Sequence, residues 1–246
     1  MTAAGALLFG RYAFPPNQLG YCGPDDHQAL LEYVATRTVD QGLVELERRF
    51  SGAYPYLCLI AAANRIQDPF DERVVEAYWV GSPLLARVDA NRFRDSLHER
   101  FAARMKTPEF GWLASKLEHG AHPHHNFHVF DVYMRAGMMN DARASIALNT
   151  MDSCRISWGQ VQELAGAELV VVRQPLVFDR GKLALGASES RRVQRQFGGH
   201  GLVDEVAVGQ TVSVHWDWAC DVLSSGQLRR LRAATEKYLG LANQTI

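Results

Sequence analysis

The chain has 246 residues, 47% of them apolar and 22% charged. That balance belongs to a globular protein with room for one large or two ordinary domains, not to a disordered or membrane-embedded chain. The formal net charge is −1, so no nucleic-acid partner and no membrane partner is expected on electrostatic grounds.

The start, Met-Thr-Ala-Ala-Gly-Ala-Leu-Leu, lacks the basic stretch of a signal peptide. The longest apolar runs, such as residues 56–63, are far short of a membrane span. The chain therefore reads as cytoplasmic. Cys22, Cys58, Cys154 and Cys220 show no CxxC spacing, which argues against a zinc ribbon and a disulfide framework. Each thiol is then either a core residue or a reactive one.

Residues 3–12 predict a short apolar helix ended by Pro15-Pro16. Residues 17–26 are rich in turn formers and form a loop around Cys22, which Gly20 and Gly23 flank. Backbone amides in such a loop can point at a thiol or at a bound anion, so Cys22 is a candidate cofactor-binding residue; a packed loop thiol is the other reading. Up to about residue 150 the periodicity is helical. Leu30, Leu31 and Val34 fit one helix, and Leu43, Leu46 and Phe50 the next. Residues 56–66 are apolar nearly all round and should form a central buried helix with Cys58 in the core. No run of strand alternation precedes residue 150, so residues 1–150 predict an all-α domain.

The most distinctive helical stretch is Gly120-Ala-His-Pro-His-His-Asn-Phe-His-Val-Phe-Asp-Val-Tyr-Met-Arg135. Pro123 suits a first helical turn. At about 100° per residue, His124, His128, Asp131 and Arg135 fall on one stripe of an otherwise apolar helix. His at i and i+4 can hold one metal ion. His124, His128 and Asp131 are therefore candidate metal ligands, and Arg135 a candidate cofactor-binding residue. His122 and His125 could approach from the helix mouth. A buried hydrogen-bond network is the alternative reading. No HExxH motif and no repeated Glu-x-x-His pair is present, which excludes the zinc-protease and di-iron bundle patterns.

From residue 151 the pattern changes. Strands are expected over 156–164, 168–177, 182–185, 191–197 and 206–216, with turns at Gly166, 179–181, 198–199 and Gly209. Five strands over this length suit a small OB-like barrel, and residues 224–241 a closing helix. The fold class is thus α+β: an all-α domain, 1–150, followed by an OB-like β-barrel with a C-terminal helix, 151–246. Arg191, Arg192 and Arg195 make a basic strand face, read as solvated or protein-docking. Cys220 reads as core.

Two segments of this second part carry a resemblance. Cys154-Arg-Ile-Ser-Trp-Gly-Gln-Val161 places a thiol ahead of a strand. Val208-Gly-Gln-Thr-Val-Ser-Val-His215-Trp-Asp-Trp-Ala219 is an alternating strand that leaves with a histidine. Together they resemble the small [NiFe]-hydrogenase maturation chaperones of the HypC/HupF type, over about the last 95 residues. Trp158 and Asp217-Trp218 depart from that family's pattern, and Cys154 lies behind a complete extra domain instead of at a chain start. The whole chain also resembles an uncharacterised actinobacterial family found near [NiFe]-hydrogenase genes.

The resemblance implies a maturation factor that binds or delivers an iron unit carrying cyanide and carbon monoxide, Fe(CN)2CO. Cys154 would be the iron-binding thiolate and His215 its proton acceptor or hydrogen-bond partner, the two candidate catalytic residues. The implied partners are a maturation scaffold protein and the hydrogenase large subunit. The chemistry is consistent, since a thiolate is a strong soft ligand and must lose its proton to bind. The extra helical domain would help supply the carbon monoxide ligand. Two alternatives stand beside this reading. One is a stand-alone metalloenzyme with iron or a haem held by the helical-domain histidines, a domain that could also hold a second metal or a haem beside the iron unit; the other is a non-catalytic adaptor of the large subunit.

Overall fold

The computed structural model describes residues 3–133, 144–197, 199–203 and 205–246. The helical part contains α1 (Ala3–Gln18), α2 (His27–Thr36), α3 (Gln41–Arg48), α4 (Tyr54–Ala63), α5 (Glu72–Trp79), α6 (Ala90–Phe101) and α7 (Thr107–Glu118). A short helix α8 (His125–Phe127) runs directly into a π-helical segment, His128–Tyr133, and α9 (Ala144–Cys154) follows. Local chemistry starts these helices. The carboxylates of Asp40 and Asp89 accept the otherwise unpaired amides of Leu43 and Arg92, at 3.1 and 3.0 Å.

The expected α+β layout is present. The strands are β1 (Ser157–Ala165), β2 (Glu168–Arg173), β3 (Leu176–Asp179), β4 (Lys182–Leu185), β5 (Glu189–Gln194), β6 (Gln196–Phe197), β7 (His200–Gly201), β8 (Thr211–His215) and β9 (Trp218–Val222). A closed barrel forms in the order β1-β2-β5-β9-β8. All its pairings are antiparallel except β5 with β9. Gly159 belongs to β1, where a Cβ would stand 2.7 Å from Val171 Cγ2 across the pair, so only glycine fits. α10 (Ser225–Ala242) closes the chain, its start fixed by a reciprocal Ser224–Gln227 capping box.

Four details differ from the sequence reading. α1 does not stop at Pro15-Pro16 but carries both prolines to Gln18. The strand expected over 168–177 breaks at Gln174-Pro175, and β3 and β4 form a separate hairpin outside the barrel. The barrel's fifth strand is β9, which pairs back on β8. Cys58 is only half-buried, whereas Cys220 is core as expected.

Helices and barrel share one continuous apolar core. α1 is its axis: it packs on α2, α3 and α5 on one side and on β8 and β9 on the other. Trp79, at the end of α5, sits where the two parts meet. Its ring contacts Phe9 and Tyr12 of α1, Tyr78, His125 of α8 and His215 of β8.

Candidate metal centre

The three residues at the heart of the site come from three distant points of the chain. His125 opens α8, Cys154 ends α9 and His215 ends β8. One possible ligand atom from each lies within 4.8 Å of the other two. They line a cavity of about 390 Å³, walled also by Cys22, Tyr78, Trp79, His128 and Trp216.

His215 is set by the first helix. Pro16 has no N–H, so it cannot bond the Tyr12 carbonyl four residues earlier. That carbonyl instead accepts from His215 Nδ1 at 2.7 Å. A carbonyl only accepts, so the proton is on Nδ1 and Nε2 carries a lone pair. Nε2 is buried and makes no hydrogen bond. An imidazole oriented through its other nitrogen is the usual arrangement of a metal-binding histidine.

Cys154 is fixed from both sides. The Ser153 carbonyl accepts the amide of Trp216 at 2.8 Å. Asp152 accepts from Arg155 at 3.0 Å, from the Leu176 amide at 2.8 Å, and from Arg173. Buried Asn126 accepts the Ile156 amide at 3.1 Å and donates to Thr235 of α10 at 3.0 Å. These bonds lock the turn between α9 and β1, and with it the thiol.

His125 bridges the two parts. Its Nε2 donates to the Cys154 carbonyl at 2.8 Å, and the Tyr78 hydroxyl lies 3.2 Å from Nδ1. Cys154 Sγ is 3.8 Å from the same Nε2. Ligation through Nε2 therefore requires the other tautomer, with Nδ1–H donating to Tyr78; a hydroxyl can serve in either role.

Burial governs the protonation states. It pushes the Cys154 thiol up to about 12, opposed only by the nearby Trp216 indole N–H. It pushes His125 down to about 4 and His215 well below the ordinary imidazole value. At neutral pH the site holds a thiol and two neutral imidazoles. Such a set is poor at making a free nucleophile but suits a metal ion, which displaces the thiol proton and needs neutral imidazole.

The stripe expected from His124, His128 and Asp131 does not form. His124 is extended, at φ −119° and ψ 145°, and its ring accepts the Asn126 amide as the cap of α8. The segment from His128 is π-helical, so spacing drawn at 100° per residue does not apply. The fully buried His124 stacks on Tyr238, ring centres 5.1 Å apart. Asp131 forms a buried ion pair with Lys116. His128 hydrogen-bonds the Tyr56 hydroxyl at 2.9 Å and reaches the cavity wall, but it is not part of the ligand cluster. Arg135 lies outside the described residues.

Cys22 does reach the cavity. Cys22 as a residue is exposed, but desolvation at its thiol, together with the Cys154 thiol, pushes its pKa up to about 12. Asn17 staples the loop by donating to the carbonyls of Cys22 and Pro24, at 2.8 and 2.6 Å. Gly23 has φ +83°, and a Cβ there would lie 2.3 Å from the Phe50 ring. The sequence reading thus named Cys22, Cys154 and His215 as candidates without joining Cys22 to the other two, and had His125 only as approaching the mouth of the helix that carries His124 and His128. The arginines of β5 are engaged locally, Arg191 with Asp217 and Arg192 with Glu168.

A family model covers residues 1–246. The chain belongs to DUF6390, a family of unknown function. No curated protein and no solved structure matches it. No helix among the described residues is long and apolar enough to cross a membrane.

Proposed function

We propose that the protein holds a thiolate-bound metal unit in the cavity between helices and barrel, on Cys154 and His215 with His125 as third ligand. The observation that carries this is the convergence of one thiol and two imidazoles within 4.8 Å in a cavity. The free lone pair of His215 Nε2 strengthens it. Iron fits the donors, since imidazole suits iron and a thiolate is a soft, strong partner for it.

The cargo we assign is the Fe(CN)2CO unit of [NiFe]-hydrogenase, and the role is its carriage during maturation. The sequence resemblance of residues 154–246 supports this, because the implied thiolate and its histidine are the two residues that meet here. Cys154 releases its thiol proton to solvent as it binds iron, while His215, its Nδ1 proton held by the Tyr12 carbonyl, offers the Nε2 lone pair to the metal. The helical part supplies a third ligand and encloses the unit.

One observation favours a second reading. Three protein ligands facing an open cavity is the count of a resident catalytic metal, with one position left for a substrate. The two readings separate in one experiment. The protein is purified anaerobically from cells expressing the hydrogenase maturation machinery, and its infrared spectrum is recorded beside that of Cys154→Ala. Metal-bound cyanide and carbon monoxide bands, lost in the variant, are expected for the carrier. Stoichiometric iron without those bands establishes the resident-metal reading instead.

A further inference from the structure

The cavity is larger than its ligand cluster requires. It measures about 390 Å³. One water accounts for about 30 Å³ of liquid, so a metal ion with a few small ligands fills only part of it. Cavities of about 300–1,000 Å³ are the size that takes small organic molecules. Phe50, Tyr78, Trp79, Phe101, Val129 and Tyr133 line this one. The remaining space is therefore walled mainly by aromatic rings.

The wall also carries charge of one sign. Arg100 and Arg104 line it, and among its described residues there is neither aspartate nor glutamate. Arg100 is committed to the protein. Its guanidinium lies over the Tyr56 ring, 4.4 Å from the ring centre, and donates to the carbonyls of Ser51 and Gly52 at 2.9 and 3.0 Å. Arg104 is exposed and has no partner among the described residues. Its guanidinium is free to take one carboxylate in a two-pronged hydrogen bond.

The same region supplies a neutral donor. Arg100 is also hydrogen-bonded to the Tyr56 hydroxyl. A guanidinium only donates, so the Tyr56 oxygen accepts. The Tyr56 O–H then goes to His128 Nδ1, 2.9 Å away. Burial, with His125 and Arg100 adding to it, holds His128 well below the ordinary imidazole value, so the ring is neutral. Its single proton is therefore on Nε2. His128 lines the cavity outside the ligand cluster, and so offers the wall an N–H.

We propose that the cavity beyond the ligand cluster binds a small organic carboxylate, its apolar body against the aromatic wall and its carboxylate on Arg104 and the His128 N–H. A singly charged ligand fits better than a phosphate dianion, because Arg100 is already engaged and Arg104 alone is left to pair. This goes beyond the metal reading. The anchor needs no metal; only the placement of the ligand's other end beside an open coordination position rests on that reading.

The test uses benzoate and its uncharged counterpart benzamide as probes. Each is titrated into the purified full chain by calorimetry, before and after loading with cobalt(II). Benzoate is expected to bind at least about tenfold more tightly than benzamide. Arg104→Gln removes that preference and leaves benzamide affinity unchanged, while Arg104→Lys restores part of it. His128→Leu weakens benzoate with cobalt content unchanged. Arg104 is exposed, so its replacement leaves the fold intact. Equal affinities for the two probes, binding of neither, or unchanged benzoate affinity in Arg104→Gln or His128→Leu overturns the proposal. Cobalt uptake by the same samples separates the two claims. A chain that takes up no cobalt sinks the metal reading, and the benzoate result still decides the carboxylate site. Normal cobalt uptake beside any of the negative probe results sinks the carboxylate site alone.

Discussion

His215 donates its Nδ1 proton to the backbone carbonyl of Tyr12, 2.7 Å away and 203 residues earlier in the chain. The bond exists because Pro16 leaves that carbonyl unclaimed inside α1. One proline in a helix thus sets the tautomer of a histidine at a barrel edge and turns its other nitrogen toward the thiol.

Pro16→Ala therefore acts on the metal site at a distance. It restores an N–H that competes for the Tyr12 carbonyl. Loss of a supporting partner of this kind weakens metal binding by about 10–100-fold. Competition with a chromogenic chelator measures it. Unchanged affinity would mean that the Tyr12 bond does not position His215 for a metal.

Asp131 and Lys116 make a buried ion pair and belong neither to the ligand cluster nor to the cavity lining. Lys116→Met removes this ion-pair partner from the buried carboxylate, at an expected cost of about 3–5 kcal/mol in denaturant unfolding. Metal content of the folded fraction stays at the unaltered level. A loss of metal at unchanged stability would return Asp131 to the ligand set.

His124 is engaged by Asn126 and Tyr238, and His128, though on the cavity wall, is bonded to Tyr56 and outside the ligand cluster. His124→Ala removes the cap of α8, worth about 0.5–2 kcal/mol, together with the stack on Tyr238. His128→Gln removes the bond to Tyr56. Neither change is expected to alter metal stoichiometry by elemental analysis. Metal loss in the stable His128→Gln protein would contradict the assignment of ligands.

Acid should act on both binding and stability. The buried thiol stands near 12, so metal binding at neutral pH releases its proton, and apparent affinity rises about tenfold per pH unit. His124 and His125 are held down near 3 and 4 from 6.5 by burial. The unfolded chain then binds more protons below 6.5. Stability is unaffected by them above that pH and falls as the pH drops through 6.5 toward 4, by on the order of 3 kcal/mol for each. Denaturant titrations of the metal-free protein at several pH values test this. Flat stability across that window would show these imidazoles to be less enclosed.

Much of the fold was legible in the sequence. The change from helical to alternating periodicity near residue 150 marks the start of the barrel; β2 and β8 lie within expected segments, and β1 and β5 overlap theirs. β9 was not legible, because the turn before it uses Trp216-Asp217 where a tight hairpin normally shows Asn-Gly or Gly. Cys154 and His215 were singled out through the resemblance to a family. Their meeting was not readable from spacing, since 61 positions and a barrel circuit separate them. His125 was misjudged for a physical reason. The stretch around it was read as one regular helix, whereas His124 is an extended cap and the turn after Phe127 is π-helical. Pro15-Pro16 was read as a helix stop; its actual effect, a freed carbonyl within the helix, was latent in the same two residues.

In the proposed site Cys154 binds a metal as thiolate beside His125 and His215. Cobalt(II) substitution tests it most directly, because a cobalt–thiolate bond gives an intense charge-transfer absorption that imidazole and oxygen ligands do not. One equivalent of cobalt per chain with that absorption is expected, with its disappearance in Cys154→Ser and weakened binding in His215→Ala and His125→Ala. Cobalt bound without the absorption, or an absorption that survives Cys154→Ser, would contradict it.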